Sequence, residues 1–379
     1  MNSLHSKTIL PGQTIGIIGG GQLGRMMALA ARAAGFRIAV LDPVQGCPCG
    51  QVADLEITAS YDDLAALERL ASVSDIITFE FENINAEALG WLQSYAHIPQ
   101  GTSLLRISQD RILEKEAILA AGVPVAPYGI INESRDIYKE IEKLGYPSVL
   151  KTSRGGYDGK GQYVIRKESD IPAAEGLLDS GPCVLEAWVP FEKEISVIVT
   201  RKENGDYSVF PAAENIHHDN ILHQTIVPAR ISAEAEDKAR QRAVQLAEHL
   251  KLVGTLAVEI FLTGEGDILI NEVAPRPHNS GHYTIEACAT SQFEQHIRAV
   301  CNWPLGETDL LRPAVMINIL GEHMEPLMEE IPSLDGWKVH LYGKDEAKEK
   351  RKMGHITILR ERAEYALEEA SRSRIWKAY

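Results

Sequence analysis

The sequence predicts a multidomain chain of mixed class, an α/β domain at the N-terminus followed by α+β material. Three observations predict it. Short apolar runs alternate with helical runs through the first hundred residues, the pattern of a doubly wound parallel sheet. The middle of the chain carries hairpin signals instead, apolar runs separated by glycine-containing turns. Beyond residue 305 strand-like runs surround a charged turn and lead to one last helix. A length of 379 residues fits two or three domains.

Taken in order, residues 14–18 (Thr-Ile-Gly-Ile-Ile) read as a buried strand, followed by three glycines and a helical run over 23–34 that Gly35 ends. Residues 37–41 form a second strand closed by Asp42-Pro43, and 75–79 a third that leads into Glu80-Phe81-Glu82-Asn83. These define a first domain over 1–105, with its active groups expected at the C-terminal ends of the strands. A second domain spans 106–305. It begins with a helix over 111–121 and the Gly/Pro-rich linker 122–127, and continues with strands over 146–151, 163–165, 183–189 and 194–199. The third, 306–379, has strands at 314–320, 338–342 and 355–359.

Composition narrows the function. Lys plus Arg number 38 against 53 Asp plus Glu, a formal charge of −15, which argues against broad binding to nucleic acid or anionic membrane. No apolar run approaches the roughly 18–20 residues of a membrane-spanning helix, and nothing near the N-terminus resembles a secretory signal. The five cysteines are scattered, and Cys47-Pro48-Cys49 lacks the two-residue spacing of a redox or zinc pair. A soluble enzyme of the reducing cytoplasm is the simplest expectation.

Gly19, Gly21 and Gly24 satisfy G-x-G-x-x-G between a strand and a helix, with Asp42 near the place of a ribose-binding acid. An NAD-dependent oxidoreductase, a site for another small anion, and a structural turn all share this pattern. The loop 154–162 offers more. Four glycines, Lys160 and the preceding Lys151 suit a lid over nucleotide phosphates, and the loop joins two strands, so it is no P-loop.

In the apolar pair 256–262 and 268–273, Glu259 and Glu272 are symmetric about the turn and are expected to face each other about 5 Å apart on one face. Like charges so placed call for a cation, magnesium with nucleotide phosphates, or else for a shared proton; a register slip would separate them. The next segment, Ala274-Pro275-Arg276-Pro277-His278-Asn279-Ser280-Gly281-His282, is stiff and polar. It reads as phosphoryl-transfer machinery or as a surface loop.

Together, the lysine-ended strand, the glycine-rich lid and the Glu…Glu hairpin behind an α/β domain resemble the ATP-grasp superfamily, with its doubly wound pre-ATP-grasp domain. The words Gly19-Gly20-Gly21-Gln22-Leu23-Gly24-Arg25-Met26, Thr78-Phe79-Glu80-Phe81-Glu82-Asn83, Gly155 to Gln162, Glu186-Ala187-Trp188-Val189-Pro190-Phe191, Asn271 to His282 and Arg351-Lys352-Met353-Gly354-His355 resemble one family, N5-carboxyaminoimidazole ribonucleotide synthetase, over residues 14–360. A formate-using glycinamide ribonucleotide transformylase is similar in architecture, but its sequence words match less well.

The resemblance implies ATP-dependent carboxylation of 5-aminoimidazole ribonucleotide by bicarbonate, through carboxyphosphate, in purine biosynthesis, by a magnesium-dependent homodimer. It places Arg111 and Lys151 on ATP phosphates, with the lid as Gly156, Tyr157, Asp158, Gly159, Lys160, Gly161 and Gln162 within a mobile region over about 125–190. Glu186, Ala187, Trp188 and Val189 would meet adenine, Glu194 the ribose, and His217 the nucleotide. Glu259 and Glu272 would bind magnesium with Asn271 beside them. Gln22, Leu23, Glu80, Asp158, Lys344 and Arg351 would hold the ribonucleotide, and Tyr157, Arg276, His278, Asn279 and Lys344 would surround bicarbonate. Asp158 is the candidate general base. Many superfamily members place Asn two residues after the second metal carboxylate, where this chain has Ala274. The run 344–352, which composition alone reads as a solvated turn, becomes a phosphate contact at Lys344 and Arg351.

Overall fold

The computed structural model describes residues 7–156 and 159–376. Its N-terminal sheet has four parallel strands in the order β3-β2-β1-β4: β1 Thr14–Ile18, β2 Arg37–Asp42, β3 Leu55–Thr58 and β4 Ile76–Phe79. Alternation along the strands decides which helix packs where. Ile15, Ile17, Ile38 and Val40 face Met27 and Ala31 of helix α1 (Gln22–Ala33), while Ile18, Leu41, Ile77 and Phe79 face Leu67 and Leu70 of α2 (Leu64–Val73). Asp63 caps α2 by accepting from the amides of Ala65 and Ala66.

Two helices, α3 (Ala86–Leu92) and α4 (Ser103–Ser108), lead to α5 (Arg111–Ala120), whose first turn is fixed at both ends of the local chain. Asp110 accepts from the amide of Ile112 and from Arg154, and the amide of Arg111 donates to the carbonyl of Ser153. A small antiparallel sheet follows, ordered β5-β8-β6-β7, from β5 Tyr128–Ile131, β6 Ser148–Thr152, β7 Gln162–Ile165 and β8 Cys183–Ala187. Helix α6 (Ser134–Leu144) covers it, burying Ile137 and Ile141.

The largest sheet has nine strands. In order of hydrogen bonding they run β14-β13-β9-β11-β12-β15-β17-β16, with β10 (Tyr207–Val209) paired to the C-terminal part of β9 on the edge it shares with β11. These are β9 Phe191–Arg201, β11 Ala213–His218, β12 Ile221–Val227, β13 Gly254–Thr263, β14 Ile268–Ala274, β15 Ala314–Leu320, β16 Lys338–Leu341 and β17 Lys352–Leu359. The strands expected beyond residue 305 are present, but they do not form a sheet of their own. β15 pairs with β12, so the C-terminal segment extends the middle sheet and carries the loop after β16 to the central cavity.

Several elements escaped the sequence reading, β3, α2, β5 and α6 among them, and two more show why. One is the 17-residue helix Ala233–His249, whose apolar face is mostly alanine and therefore gives a weak periodic signal. The other is the β11–β12 hairpin, whose Asp219-Asn220 turn has both residues at positive φ, the two-residue turn that strand twist favours.

Leu256 of β13 is fully buried in the cluster under the sheet that carries Glu259. Leu256→Ala is expected to cost about 2–5 kcal/mol of stability, read as a lower urea midpoint.

Candidate active site

One cavity of about 680 Å³ lies where the three sheets meet. Its walls hold Gln22, Leu23, Glu80, Arg111, Lys151, Gly156, Gly159, Lys160, Gly161, Gln162, Glu186, Ala187, Trp188, Val189, Glu194, His217, Glu259, Asn271, Glu272, Arg276, His278, Asn279 and Lys344. Tyr157 and Asp158 lie outside the described residues. Arg351 is not in the wall: its guanidinium donates to the carbonyl of Glu346 in its own exposed turn, and Lys352 faces the cavity in its place.

The opposed glutamates are where the spacing puts them, Glu259 paired with Glu272 across β13 and β14, but a bulge is needed to bring them there. Near the turn Ile260 pairs with Ile270, a register that on its own would set Glu259 against Asn271 and turn Glu272 to the other face. Asn271 is the extra residue of a β-bulge that resets the ladder and adds its amide beside the two carboxylates. Its Oδ1 is buried with no hydrogen-bond partner among the described residues.

Charge around the pair is uneven. Glu259 meets Nε2 of His278 at 3.1 Å, and Glu272 meets Arg111 at the longer distance of 3.6 Å. Burial and the facing Glu259 push the Glu272 carboxyl above its ordinary range. A hard cation accepts such a set, two carboxylates and an amide oxygen, provided other oxygens complete its shell. Among the described residues no group of three or more His, Cys, Asp or Glu could hold a metal alone, so oxygens from outside the chain, of water or of a bound ligand, would complete the shell of a cation placed here.

A second cluster lies toward β8. The carboxylate of Glu186 takes Lys151 at 2.9 Å on one oxygen and Lys115 at 3.0 Å on the other. Burial would raise this carboxyl, but Lys151, Lys115 and Arg111 outweigh it and bring it down to about 2. Close by, the rings of Phe191 and Phe261 stack at 4.7 Å and 6°, a flat apolar wall suited to a planar base. Glu194 and Nδ1 of His217 form an ion pair on the same wall.

The stiff polar segment after β14 is held from both sides. Arg276 forms a two-point ion pair with Glu82, with Nη2 to Oε1 at 3.1 Å, and so ties the segment to the loop after β4. Gln292 accepts from the amide of His278 at 2.9 Å and donates to its carbonyl at 2.7 Å. Both side-chain polar atoms of Asn279 are buried without a hydrogen-bond partner among the described residues.

At the glycine turn, the amides of Gly21 and Gly24 donate to Glu80, the latter at 2.6 Å. A Cβ on Gly24 would lie 2.6 Å from the carbonyl oxygen of Gly19, which is why that position must be glycine, while one on Gly21 would displace the Glu80 carboxylate. Asp42 accepts from the amide of Gly20 and the hydroxyl of Tyr61, each at 2.7 Å. The two features that suggested a dinucleotide are therefore spent inside the protein, the helix N-terminus on Glu80 and Asp42 on the turn itself. Across the cavity mouth Lys344 donates to Gln22 at 2.7 Å, and burial with Arg351 nearby pulls its ammonium down to about 8.

Glu82, Glu114, Phe261 and Lys352 line this cavity and Lys115 lies behind its wall against Glu186, and the sequence reading gave none of them a role. Glu114 accepts from the amide of Val273, next to Glu272, at 2.8 Å. Glu114 and Lys115 share the buried stripe of α5 with Ile118, so two charges standing on an apolar face were the available signal.

A hairpin with opposed glutamates, a lysine-bearing small sheet and a glycine-rich loop over one cavity define an ATP-grasp enzyme. A family model for the ATP-grasp domain matches residues 116–293, one for the ribonucleotide synthetase preATP-grasp domain matches 12–109, and one for the phosphoribosylaminoimidazole carboxylase C-terminal domain matches 314–369. The chain is 56% identical to N5-carboxyaminoimidazole ribonucleotide synthase of Bacillus subtilis over 358 residues, 94% of each protein. It is 48% identical to the Staphylococcus aureus enzyme of that name over 349 residues, 92% of this chain and 93% of that one.

Among solved structures it matches an ADP complex of an N5-carboxyaminoimidazole ribonucleotide synthetase with a TM-score of 0.96 and 59% identity, covering 98% of this chain and 99% of that one. The Aspergillus clavatus N5-carboxyaminoimidazole synthase in complex with ADP and 5-aminoimidazole ribonucleotide matches with a TM-score of 0.88 and 32% identity, over 93% and 95%. The chain belongs to the N5-carboxyaminoimidazole ribonucleotide synthase family. No helix of the described residues is long and apolar enough to cross a membrane.

The Glu82–Arg276 pair generates a pH prediction. Burial would raise the Glu82 carboxyl, but Arg276 outweighs it and takes it from an ordinary 4.5 down to about 2. A depressed folded value means that the pair's stabilisation is complete above the ordinary value and is lost as pH falls from there toward about 2. Glu82→Gln is expected to be less stable than the parent at neutral pH, and the gap, measured by urea unfolding, is expected to shrink on acidification.

Proposed function

We propose that this chain joins 5-aminoimidazole ribonucleotide to bicarbonate at the expense of ATP, releasing N5-carboxyaminoimidazole ribonucleotide, ADP and phosphate. The observation that carries the reading is that one cavity joins a nucleotide cradle to a second anion-binding end. The first is built by Lys151, Glu186 and the two opposed glutamates, and the second by Gln22 and Lys344, contributed by opposite ends of the chain.

Bicarbonate is a poor electrophile. Transfer of the γ-phosphoryl group to one of its oxygens gives carboxyphosphate, in which phosphate is a good leaving group. Attack by the ribonucleotide's amine on carboxyphosphate, or on carbon dioxide released from it together with phosphate, forms the N–C bond, frees phosphate and releases one proton. Little covalent chemistry falls to the protein, whose task is positioning, charge neutralisation and exclusion of water.

In this reading Arg111 and Lys151 meet the phosphates, residues 186–189 and the Phe191–Phe261 wall take the base, and Glu194 takes the ribose. Glu259, Glu272 and the Asn271 amide would hold magnesium, which supplies charge neutralisation on the phosphates when bound. Arg276, fixed by Glu82, lies with His278 and Asn279 where the carboxylating intermediate has to be held. Gln22, Leu23, Glu80 and Lys344 form the ribonucleotide end. We place the enzyme in the cytoplasm as a homodimer, as the resemblance implies, and its sedimentation mass tests the latter.

The test is ADP release from magnesium–ATP at controlled bicarbonate, with and without 5-aminoimidazole ribonucleotide. Release is expected to require the ribonucleotide, with carbon-13 from bicarbonate appearing on its amine, and Glu272→Gln is expected to lower turnover by about a hundredfold or more. Release driven by glycinamide ribonucleotide and formate instead would overturn the substrate assignment.

A further inference from the structure

Lys115 is a fully buried lysine that the proposed chemistry does not use. Its side chain has no exposed surface, it is absent from the cavity wall, and its ammonium lies 5.6 Å over the ring of Tyr128. Its charge partner is Glu186, and Glu186 is shared. Oε1 takes Lys115 at 3.0 Å from behind, and Oε2 takes Lys151 at 2.9 Å from the cavity side. The carboxylate itself is 4% exposed, so solvent cannot replace a lost partner.

A stabilising role is a weak explanation for this arrangement. Moving an ammonium out of water is expensive, and replacing a buried ion pair by apolar groups of similar volume is often neutral or favourable. A functional explanation follows from what Lys151 has to do. As a phosphate contact it must leave Glu186 at least in part. Were it the sole partner, its departure would strand a buried carboxylate, which is costly, and Glu186 would compete with the nucleotide for the lysine.

We propose that Lys115 is a positioning residue for nucleotide binding: as the resident counter-ion of Glu186, it releases Lys151 to pair with a nucleotide phosphate. The inference rests on the assignment of Lys151 to the phosphates under the proposed function. Its location fits a fixed role. Lys115 sits one residue after Glu114 on α5, and Glu114 is anchored to the amide of Val273, so this turn of the helix is held against the rest of the site.

The test uses the full chain and magnesium–ADP as probe, with affinity read by calorimetry beside the melting temperature. Lys115→Met removes the charge at similar volume. Its magnesium–ADP affinity is expected to fall about tenfold or more. Removing one partner of a buried carboxylate also costs stability, so the melting temperature is expected to fall, and the KM for the ribonucleotide at saturating ATP to stay unchanged. A merely structural lysine lowers the melting temperature but leaves magnesium–ADP affinity unchanged, and that result overturns the inference.

The double variant Lys115→Met/Glu186→Gln keeps the question open to disproof if the single variant does not fold. With no carboxylate left to hold Lys151, its affinity is expected within about threefold of the parent, and a loss of about tenfold or more overturns the inference. Lys151→Met separates the two levels of the reading. It is expected to lose nucleotide affinity; if it does not, the phosphate assignment of Lys151 fails and the inference with it. If Lys151→Met loses affinity while Lys115→Met does not, only the inference fails.

Discussion

Two glutamates facing each other across a buried hairpin are the constraint around which the site is built. Strand pairing places Glu259 and Glu272 opposite each other, and like charges so placed destabilise a sheet. The charge deficit falls on Glu272, because His278 meets Glu259 at 3.1 Å and helps hold its carboxyl low, while Glu272 has the more distant Arg111 and is pushed up by burial and by Glu259. Two positive groups of the cavity are each tied to a carboxylate outside the hairpin, Arg276 to Glu82 and Lys151 to Glu186. The result is a preorganised but incomplete charge lattice that a phosphate-bound cation would complete.

The ties that hold this lattice also hold the segments of the chain together. Arg276 bonds to Glu82 across 194 residues, and Lys344 to Gln22 across 322. The largest sheet runs unbroken from the glutamate hairpin to the C-terminal strands, so Lys344 reaches the cavity on the same framework that presents Glu259 and Glu272. Strands carry Lys151, Glu186, Glu259 and Glu272, and loops braced against that framework carry Arg276 and Lys344, which favours precise placement of groups that must meet several substrates at once.

Much of this was legible in the sequence, and the exceptions have physical causes. The strand at 14–18, the helix after the glycines and the glutamate hairpin all follow from apolar period and turn residues. The opposition of Glu259 and Glu272 was inferred from symmetry about the turn, but the turn itself has a register one residue off, and the bulge at Asn271 restores the match. A bulge leaves no simple periodic signature. Pairing partners are likewise hidden from local pattern, so the junction of β15 with β12 could not be read from either strand alone. The G-x-G-x-x-G turn left several readings open for a different reason. Its requirement for close backbone approach is real, but Glu80 fills the space a pyrophosphate would take. Arg351 was placed by its motif, whereas in the structure its guanidinium is turned to its own loop and Lys352 faces the cavity.

If the opposed carboxylates exist to hold a cation with a nucleotide, they are a burden on the protein without it. The most direct measurement is the melting temperature of the parent and of Glu272→Gln, each with and without magnesium–ADP. The account predicts that Glu272→Gln melts at the same temperature as the metal-free parent or higher, because the glutamine relieves the repulsion at equal volume, and that it loses most of the stabilisation that magnesium–ADP confers on the parent. A variant that melts lower without ligand and is stabilised by magnesium–ADP as much as the parent would contradict it.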